Sequence, residues 1–372
     1  MACLLCGAVE EPSLQHRCAH CGGALEPRYR SERLAPRTAG LTPERTYFEH
    51  LPLGSADVLD DGVSVSTPCR PAPVLGAAIG VPHLWIKDES VQPTGSTKDR
   101  LASVVLAVLR QSGVTEFVAS STGNSSTALA RAVQRDPAMR AHFFCGREFL
   151  AYQGFTPDAR IRLSVVDGTY AQAKAAAREF GRTEGVHLEG GFFNWARREG
   201  LKLAYLEAID QMESTPDVVV QAVSSGMGMV AADKAVREYS ESGRVDRVPR
   251  YLMVQQSSCA PMAHAWARGA RELSDSDRVE NPEGLATAIL LGDGRPYYPY
   301  LAGIVARAGG AIVAVGRQDL IDCRAMLVDL EGVDVCYASA ATIAGIRAEA
   351  AAGRITPDDT VLAVLTGKLR PN

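Results

Sequence analysis

Pro93-Thr94-Gly95-Ser96-Thr97-Lys98-Asp99-Arg100 decides how the chain is read, because this turn delivers one lysine to the mouth of a helix. Pro93 and Gly95 punctuate the turn, and Ser96 or Thr97 suits the cap position. Leu101-Ala-Ser-Val-Val-Leu-Ala-Val-Leu109 is apolar enough for a largely buried helix, and Gly113 lies just past its expected end. A lysine held there, partly desolvated and near a positive helix end, sheds its proton more easily than one in water. An amine in that condition can form a Schiff base with an aldehyde. An ordinary first-turn lysine fits the same residues, so the neighbouring segments have to decide.

Three of them fit one pocket. Glu116-Phe-Val-Ala-Ser120 reads as a strand, then Ser121-Thr-Gly-Asn-Ser-Ser126 as a loop, then Thr127 to Val133 as a helix. A hydroxyl- and Gly-rich loop at such a junction offers N–H groups to a carboxylate or phosphate. Asp217-Val-Val-Val-Gln-Ala-Val223 is a β-branched strand of the kind buried in parallel sheets. It runs into Ser224-Ser-Gly-Met-Gly228 and a helix through Val236, a second anion cradle. Thr360 to Leu365 is another buried strand, ending in Thr366-Gly367. Each loop alone is a common α/β feature. Together with a candidate Schiff-base lysine they are far more specific.

The lysine stretch resembles the motif of the fold-type II pyridoxal phosphate enzymes, and the family it is most similar to is threonine synthase. Ile86-Lys87-Asp88-Glu89, the Ser121 to Ser126 loop, Asn194-Trp-Ala-Arg-Arg-Glu-Gly-Leu-Lys202, Cys259-Ala-Pro-Met and Thr366-Gly367 resemble that family's motifs in order, from about residue 65 onward. The resemblance implies that Lys98 carries pyridoxal 5'-phosphate and shuttles protons at the substrate α-carbon. It implies that Asn124 bonds the cofactor's phenolic oxygen. Ser224, Ser225, Gly226, Met227 and Gly228 would hold the cofactor phosphate, and Thr366 would face the ring nitrogen. Ser121, Thr122, Ser125 and Ser126 would take the substrate carboxylate. Lys87, Asn194 and Arg197 would bind a phosphate on the substrate, since a guanidinium suits that group. Read alone, Arg197 beside Arg198 and Glu199 suits a solvated helix face, and Lys87 suits a strand end from which it snorkels. Asn124 alone could be a helix cap, and Thr366 a strand terminator.

The chain departs from the family at Thr97, where an aromatic residue precedes the lysine. It departs again at Ser224 and Ser225, where the phosphate loop starts with glycine, and in the tail after Gly367. The cofactor machinery is therefore expected to be intact and the substrate pocket altered.

A separate signal stands at the beginning. Cys3-x-x-Cys6 and Cys18-x-x-Cys21 are two CxxC knuckles separated by eleven residues, followed by Gly7 and by Gly22-Gly23. Four thiolates so spaced suit tetrahedral zinc, and a full thiolate set leaves no open position for catalysis, so the metal would be structural. Disulfides are the competing use of the same cysteines. The other five cysteines are scattered, and nine in all without a secretory leader point to a reducing cytoplasm.

At 372 residues and net charge −4, with both signs interspersed, the chain has room for two lobes and no basic face for nucleic acid. No apolar run approaches membrane-spanning length. Alternating strand-like and helix-like segments argue for an α/β protein with mostly parallel sheets. The expected organisation is a zinc ribbon at 1–28, then a connector and first part of a large domain at 29–84. A small domain follows at 85–200 and the rest of the large domain at 201–372, with the cofactor in the cleft between the lobes. The polar, Gly/Pro-rich segment from Asp275 to Pro296 is expected to be a mobile loop. The implied activity is conversion of O-phospho-L-homoserine and water to L-threonine and phosphate, in a homodimer. The alternatives are β-replacement on O-phosphoserine, as in cysteate-synthase-like paralogues, and a non-catalytic binding protein on the same fold.

Overall fold

The computed structural model describes residues 1–29 and 42–369. Residues 30–41 of the expected connector and the last three residues of the tail lie outside that range. The chain forms two compact units, one from Met1–Ser66 and Gln92–Leu203 and the other from Thr67–Val91 and Ala204–Leu369.

The first unit is built on a four-stranded parallel sheet in the order Ile161–Val166, Arg140–Gly146, Glu116–Ser120, His187–Leu188. Phe117, Val118, Phe143 and Cys145 are buried to 0 % exposure, as strands covered on both faces require. The helices Lys98–Gln111 and Asn124–Arg135 pack in this unit. So does Tyr170–Glu184, which Thr169 and Gln172 start with a capping box and left-handed Gly185 ends. The segment 42–66 belongs here too, not to the larger lobe to which the sequence reading joined it. Arg131 Nη1 donates to the carbonyl of Gly62 (2.8 Å), Arg110 Nη1 donates to that of Val58 (2.8 Å), and Arg135 pairs with Asp60. These arginines come from the helices 98–111 and 124–135, so the segment is pinned by partners that its own composition does not reveal.

The second unit carries a six-stranded sheet in the order Gly310–Val315, Arg250–Gln256, Val218–Ala222, Val361–Leu365, Leu84–Asp88, Cys69–Pro71. Every pairing is parallel except the last, where Cys69–Pro71 runs antiparallel at the edge. Strand 84–88, expected at the head of the small domain, is paired here along its whole length with 361–365. Its inward residues Leu84 and Ile86 join Val218, Val220, Val361 and Ala363 in one core. Helix Tyr337–Ala351 lies across this sheet with Gly345 at the contact, where a Cβ would come within 2.4 Å of Val254.

The segment 275–296 is anchored where a mobile loop was expected. Ala286 and Ile289 are buried in the core, and the Gln256 amide bonds both the N–H (3.2 Å) and the carbonyl (3.0 Å) of Ala286. Its exterior is polar, and the two apolar residues inside it anchor it to the core. Among the described residues no helix is long and apolar enough to cross a membrane.

Candidate active site

The lysine turn is held from inside. Gly95 adopts φ +77°, which a β-carbon would strain, and its N–H closes the turn on Gln92 O at 2.7 Å. Asp99, fully buried, accepts from Thr94 N (2.6 Å) and Thr94 Oγ1 (2.9 Å). Lys98 is the first residue of helix 98–111 and is half-buried. Of the two expected caps, Thr97 already has helical backbone angles and its hydroxyl makes no cap bond, while Ser96 Oγ accepts Lys98 N at 3.4 Å. The helix is also fixed laterally. A Cβ on Gly200 would stand 2.3 Å from Arg100 O and 2.7 Å from Leu101 Cα. Glycine there lets the start of helix Trp195–Met212 approach the backbone just beyond Lys98.

The Ser121 to Ser126 loop divides its groups between structure and display. Ser121 Oγ accepts from Gly123 N and Ser126 N, both at 3.1 Å. Ser126 Oγ lies 2.8 Å from Gly123 O and 2.5 Å from Gln153 Oε1, and its one proton serves one or the other. The hydroxyls of Ser121 and Ser126 thus shape the loop that is expected to take the substrate carboxylate. Gly123 has φ +139°, and a Cβ there would meet Tyr152 O at 2.6 Å, so only glycine makes this corner. Thr122, Asn124 and Ser125 are half-buried, and no hydrogen bond among the described residues takes their main-chain N–H groups or the Asn124 amide. Those groups remain for a ligand.

Asn194 and Arg197 come together around a residue that the sequence reading did not single out. Glu189, 1 % exposed, accepts Arg197 Nε and Nη2 in a two-toothed pair, the second at 2.5 Å. Its Oε1 accepts Asn194 Nδ2 at 2.9 Å, and its main-chain carbonyl accepts the same amide at 2.7 Å. The remaining guanidinium edge, Arg197 Nη1, reaches Ser125 Oγ at 3.3 Å. Arg197 is 4 % exposed, so it is not the solvated helix charge that its charged neighbours also allowed. Burial alone would raise the Glu189 pKa, but the Arg197 charge more than offsets this and holds the carboxyl below its ordinary value. A glutamate ahead of Gly190-Gly191 at a strand end was the available signal.

In the second unit, Val218–Ala222 leads through Ser224 and Ser225 to Gly226 in the left-handed region (φ +74°), and then to helix Met227–Glu241. Among the described residues none of the main-chain N–H groups of Ser225, Gly226, Met227 and Gly228 is donated within the chain. A Cβ on Gly228 would fall 2.5 Å from Gln221 Nε2. This is an open row of donors at a helix start, suited to a phosphate. Thr366 follows strand 361–365, half-buried, with no hydrogen bond from its hydroxyl among the described residues. The next residue is clamped by Ser339, whose Oγ bonds both the carbonyl (2.9 Å) and the N–H (3.1 Å) of Gly367.

Lys87 is fully buried in the second unit, and its Nζ donates to Glu207 Oε2 (2.7 Å) and to Thr67 O (2.6 Å), so its charge already has a counter-charge there.

The four N-terminal cysteines converge. All four Sγ atoms lie within 4.8 Å of one another. Cys3–Cys21 is 3.4 Å and Cys6–Cys18 is 3.7 Å, against an edge of about 3.8 Å for a tetrahedron with 2.3 Å metal–sulfur bonds. All four are free thiols, not disulfides. The two knuckles are alike: Gly7 N donates to Cys3 O (3.1 Å) and Gly22 N to Cys18 O (2.9 Å), each glycine left-handed. Strands Ala2–Cys3 and Leu25–Glu26 close the module. It seats on the turn that carries Asn194. The buried Arg198 donates to the carbonyls of Leu25 and Phe192, the Arg17 guanidinium lies 3.4 Å over the Phe193 ring, and His16 packs against Gly190.

The family model described as "Pyridoxal-phosphate dependent enzyme" matches residues 63–367. A threonine synthase of Methanosarcina acetivorans is 28 % identical over 99 % of this chain and 91 % of its own length. A cysteate synthase of Methanocorpusculum labreanum is 27 % identical over 99 % of this chain and 92 % of its own. Among solved structures, the processed form of threonine deaminase isoform 2 from Solanum lycopersicum superposes with TM-score 0.67 at 17 % identity, covering 93 % of this chain and 96 % of that one. That likeness bears on the fold, and it agrees with the mostly parallel two-sheet architecture. With a half-buried lysine at a helix start, an open row of donors at 225–228 and a family match across both units, the chain belongs to the pyridoxal-phosphate dependent enzymes.

Proposed function

We propose that this enzyme acts on a phosphorylated small amino acid, converting O-phospho-L-homoserine and water to L-threonine and phosphate. The observation that carries the reading is the buried Arg197, whose free guanidinium edge meets Ser125 in the loop that also displays Thr122 and Asn124. A distal anion and an α-carboxylate could be read there by neighbouring groups. The similarity to a threonine synthase over nearly the whole chain supports the same assignment.

The residues fit the cofactor. The unspent N–H groups of 225–228, with Ser224 beside them, would hold its phosphate at the start of helix 227–241. Lys98 would carry it, Asn124 would bond its phenolic oxygen, and Thr366 would bond its ring nitrogen. Pyridoxal phosphate, when bound, supplies an electron sink for bonds at the amino-acid α-carbon. Lys98 then takes and returns the proton at that carbon. The Thr122, Asn124 and Ser125 N–H groups orient the substrate carboxylate, while the free edge of Arg197 steadies the departing phosphate; Asn194, whose amide is spent on Glu189, acts by helping to build that turn. Cys3, Cys6, Cys18 and Cys21 would hold a structural zinc, with every position taken by thiolate. The same reading takes the enzyme to be a cytoplasmic homodimer.

A second reading, β-replacement on O-phosphoserine, is supported by the similarity to a cysteate synthase, which stands at the same level as that to a threonine synthase. The test is to add each phosphorylated amino acid to the cofactor-loaded enzyme, O-phosphoserine together with sulfite as the incoming nucleophile, and to follow phosphate and amino-acid products. Equal release of phosphate and threonine from O-phosphohomoserine is expected. Phosphate released from O-phosphoserine alone would sink the first reading in favour of the second.

A further inference from the structure

We propose that Glu189 is a positioning and specificity-determining residue: it orients Arg197 and Asn194 and cancels the Arg197 charge, so the anion subsite recognises its ligand through directed hydrogen bonds rather than through net charge. This deepens the proposed function and rests on it for the identity of the substrate.

Glu189 stands at the end of strand His187–Leu188, where Gly190 (φ +94°) and Gly191 (φ +62°) reverse the chain. The reversal brings Gly191 N to Oε2 at 3.1 Å. A Cβ on Gly190 would press within 2.4 Å of His16 Cδ2, so the turn has no room for a larger residue. The carboxylate is thus held on a short, crowded turn while the Asn194 and Arg197 side chains are built onto it. Asn194 gives its amide to the carbonyl and to Oε1 of Glu189, and its own Oδ1 accepts Ala196 N at 2.9 Å, starting helix 195–212. Arg197, on the first turn of that helix, presents Nε and Nη2 to the same carboxylate. Two parallel bonds fix the plane of a guanidinium as well as its place. One edge is left, and it points to Ser125 Oγ.

Two consequences follow. The pair Arg197–Glu189 has no net charge, so an incoming anion gains the Nη1 edge and the Ser125 hydroxyl without a full unpaired cation. Selectivity then comes from shape and hydrogen-bond direction, and general anions are held weakly. The free enzyme also avoids an uncompensated buried charge, which would be costly.

The charge and the geometry can be separated with two variants of the cofactor-loaded enzyme. Glu189→Gln keeps the size and removes the charge, while Glu189→Asp keeps the charge and shortens the reach. The probe is inorganic phosphate, its affinity measured by calorimetry across a range of salt. Glu189→Gln is expected to bind phosphate about tenfold more tightly than the parent, with a steeper salt dependence, because one unit of positive charge is exposed in a partly screened site. Glu189→Asp is expected to leave the salt dependence unchanged but to lower kcat for the phosphorylated amino acid, since the guanidinium is no longer held by two bonds. Circular dichroism checks that both variants are folded. If Glu189→Gln matches the parent in phosphate affinity and salt slope, the charge-cancelling role is overturned. If Glu189→Asp matches the parent in kcat, the positioning role is overturned. Phosphate binding is read without turnover, so a wrong substrate assignment shows as no product from any phosphorylated amino acid while the Glu189→Gln effect remains.

Discussion

Lys98→Ala is expected to lower turnover of the phosphorylated substrate by about 10³-fold or more, because it removes the group that carries the cofactor and moves the α-proton. The loss should be chemical and not structural. Lys98 is only half-buried, and the turn ahead of it is held by Asp99 and Thr94. The helix behind it is held by residues that are completely buried, among them Leu101, Ala102 and Val104. Alanine also has the best helix propensity, so the first turn of 98–111 loses little. Phosphate release under single-turnover conditions measures the effect, and the melting temperature checks that the fold is kept. Turnover within tenfold of the parent in a folded Lys98→Ala protein would remove Lys98 from the chemistry.

Glu207→Ala is expected to destabilise the protein by about 3–5 kcal/mol, since it leaves a buried ammonium without its counter-charge. Lys87 is fully buried and the Glu207 side chain is 5 % exposed, so water cannot take over the lost contact. Thr67 O and Gln211 Oε1 would remain as neutral acceptors, the second at 3.5 Å. Glu207 also accepts Thr67 N at 3.3 Å, and Thr67 Oγ1 donates to Glu89 at 2.6 Å, so the removal unsettles a small network. The double variant Lys87→Met/Glu207→Leu should recover most of the loss, because replacing both members of a buried pair by apolar groups of similar size is far less costly than breaking it. Urea unfolding of the three proteins provides the comparison. The same variants test the role of Lys87: as an internal ion-pair partner, its removal in the double variant leaves KM for the phosphorylated substrate near the parent value. A large rise in KM with unchanged stability would restore it as a substrate ligand.

Most of the architecture was legible in the sequence. Strand 116–120, strand 218–222 and strand 361–365 are short apolar runs, and the residues that end them are glycine, serine and threonine. Such punctuation acts over a few residues, so it survives in a linear reading. Helix 98–111 was legible for the same reason, as was the cysteine module, where ligand type and spacing state the geometry directly. The reading failed where a residue's role is set by a partner far along the chain. Segment 42–66 resembles a connector, yet arginines from two helices secure it. Segment 275–296 resembles a mobile loop, yet Gln256 grips it and two apolar residues bury themselves.

The site divides in the same way. The residue types that can hold a phosphate-bearing cofactor, the lysine at a helix mouth and the four thiolates were determined by the sequence alone, because local turns and helix starts generate those functions. Which cations remain available to a substrate was decided only by the tertiary structure. Lys87 and Glu207 are 120 residues apart, and Arg197 meets Ser125 across 72 residues. A buried charge must find its counter-charge wherever the fold brings one close. No local pattern records that Lys87 is taken by Glu207, nor that Glu189 leaves Arg197 a single edge to offer.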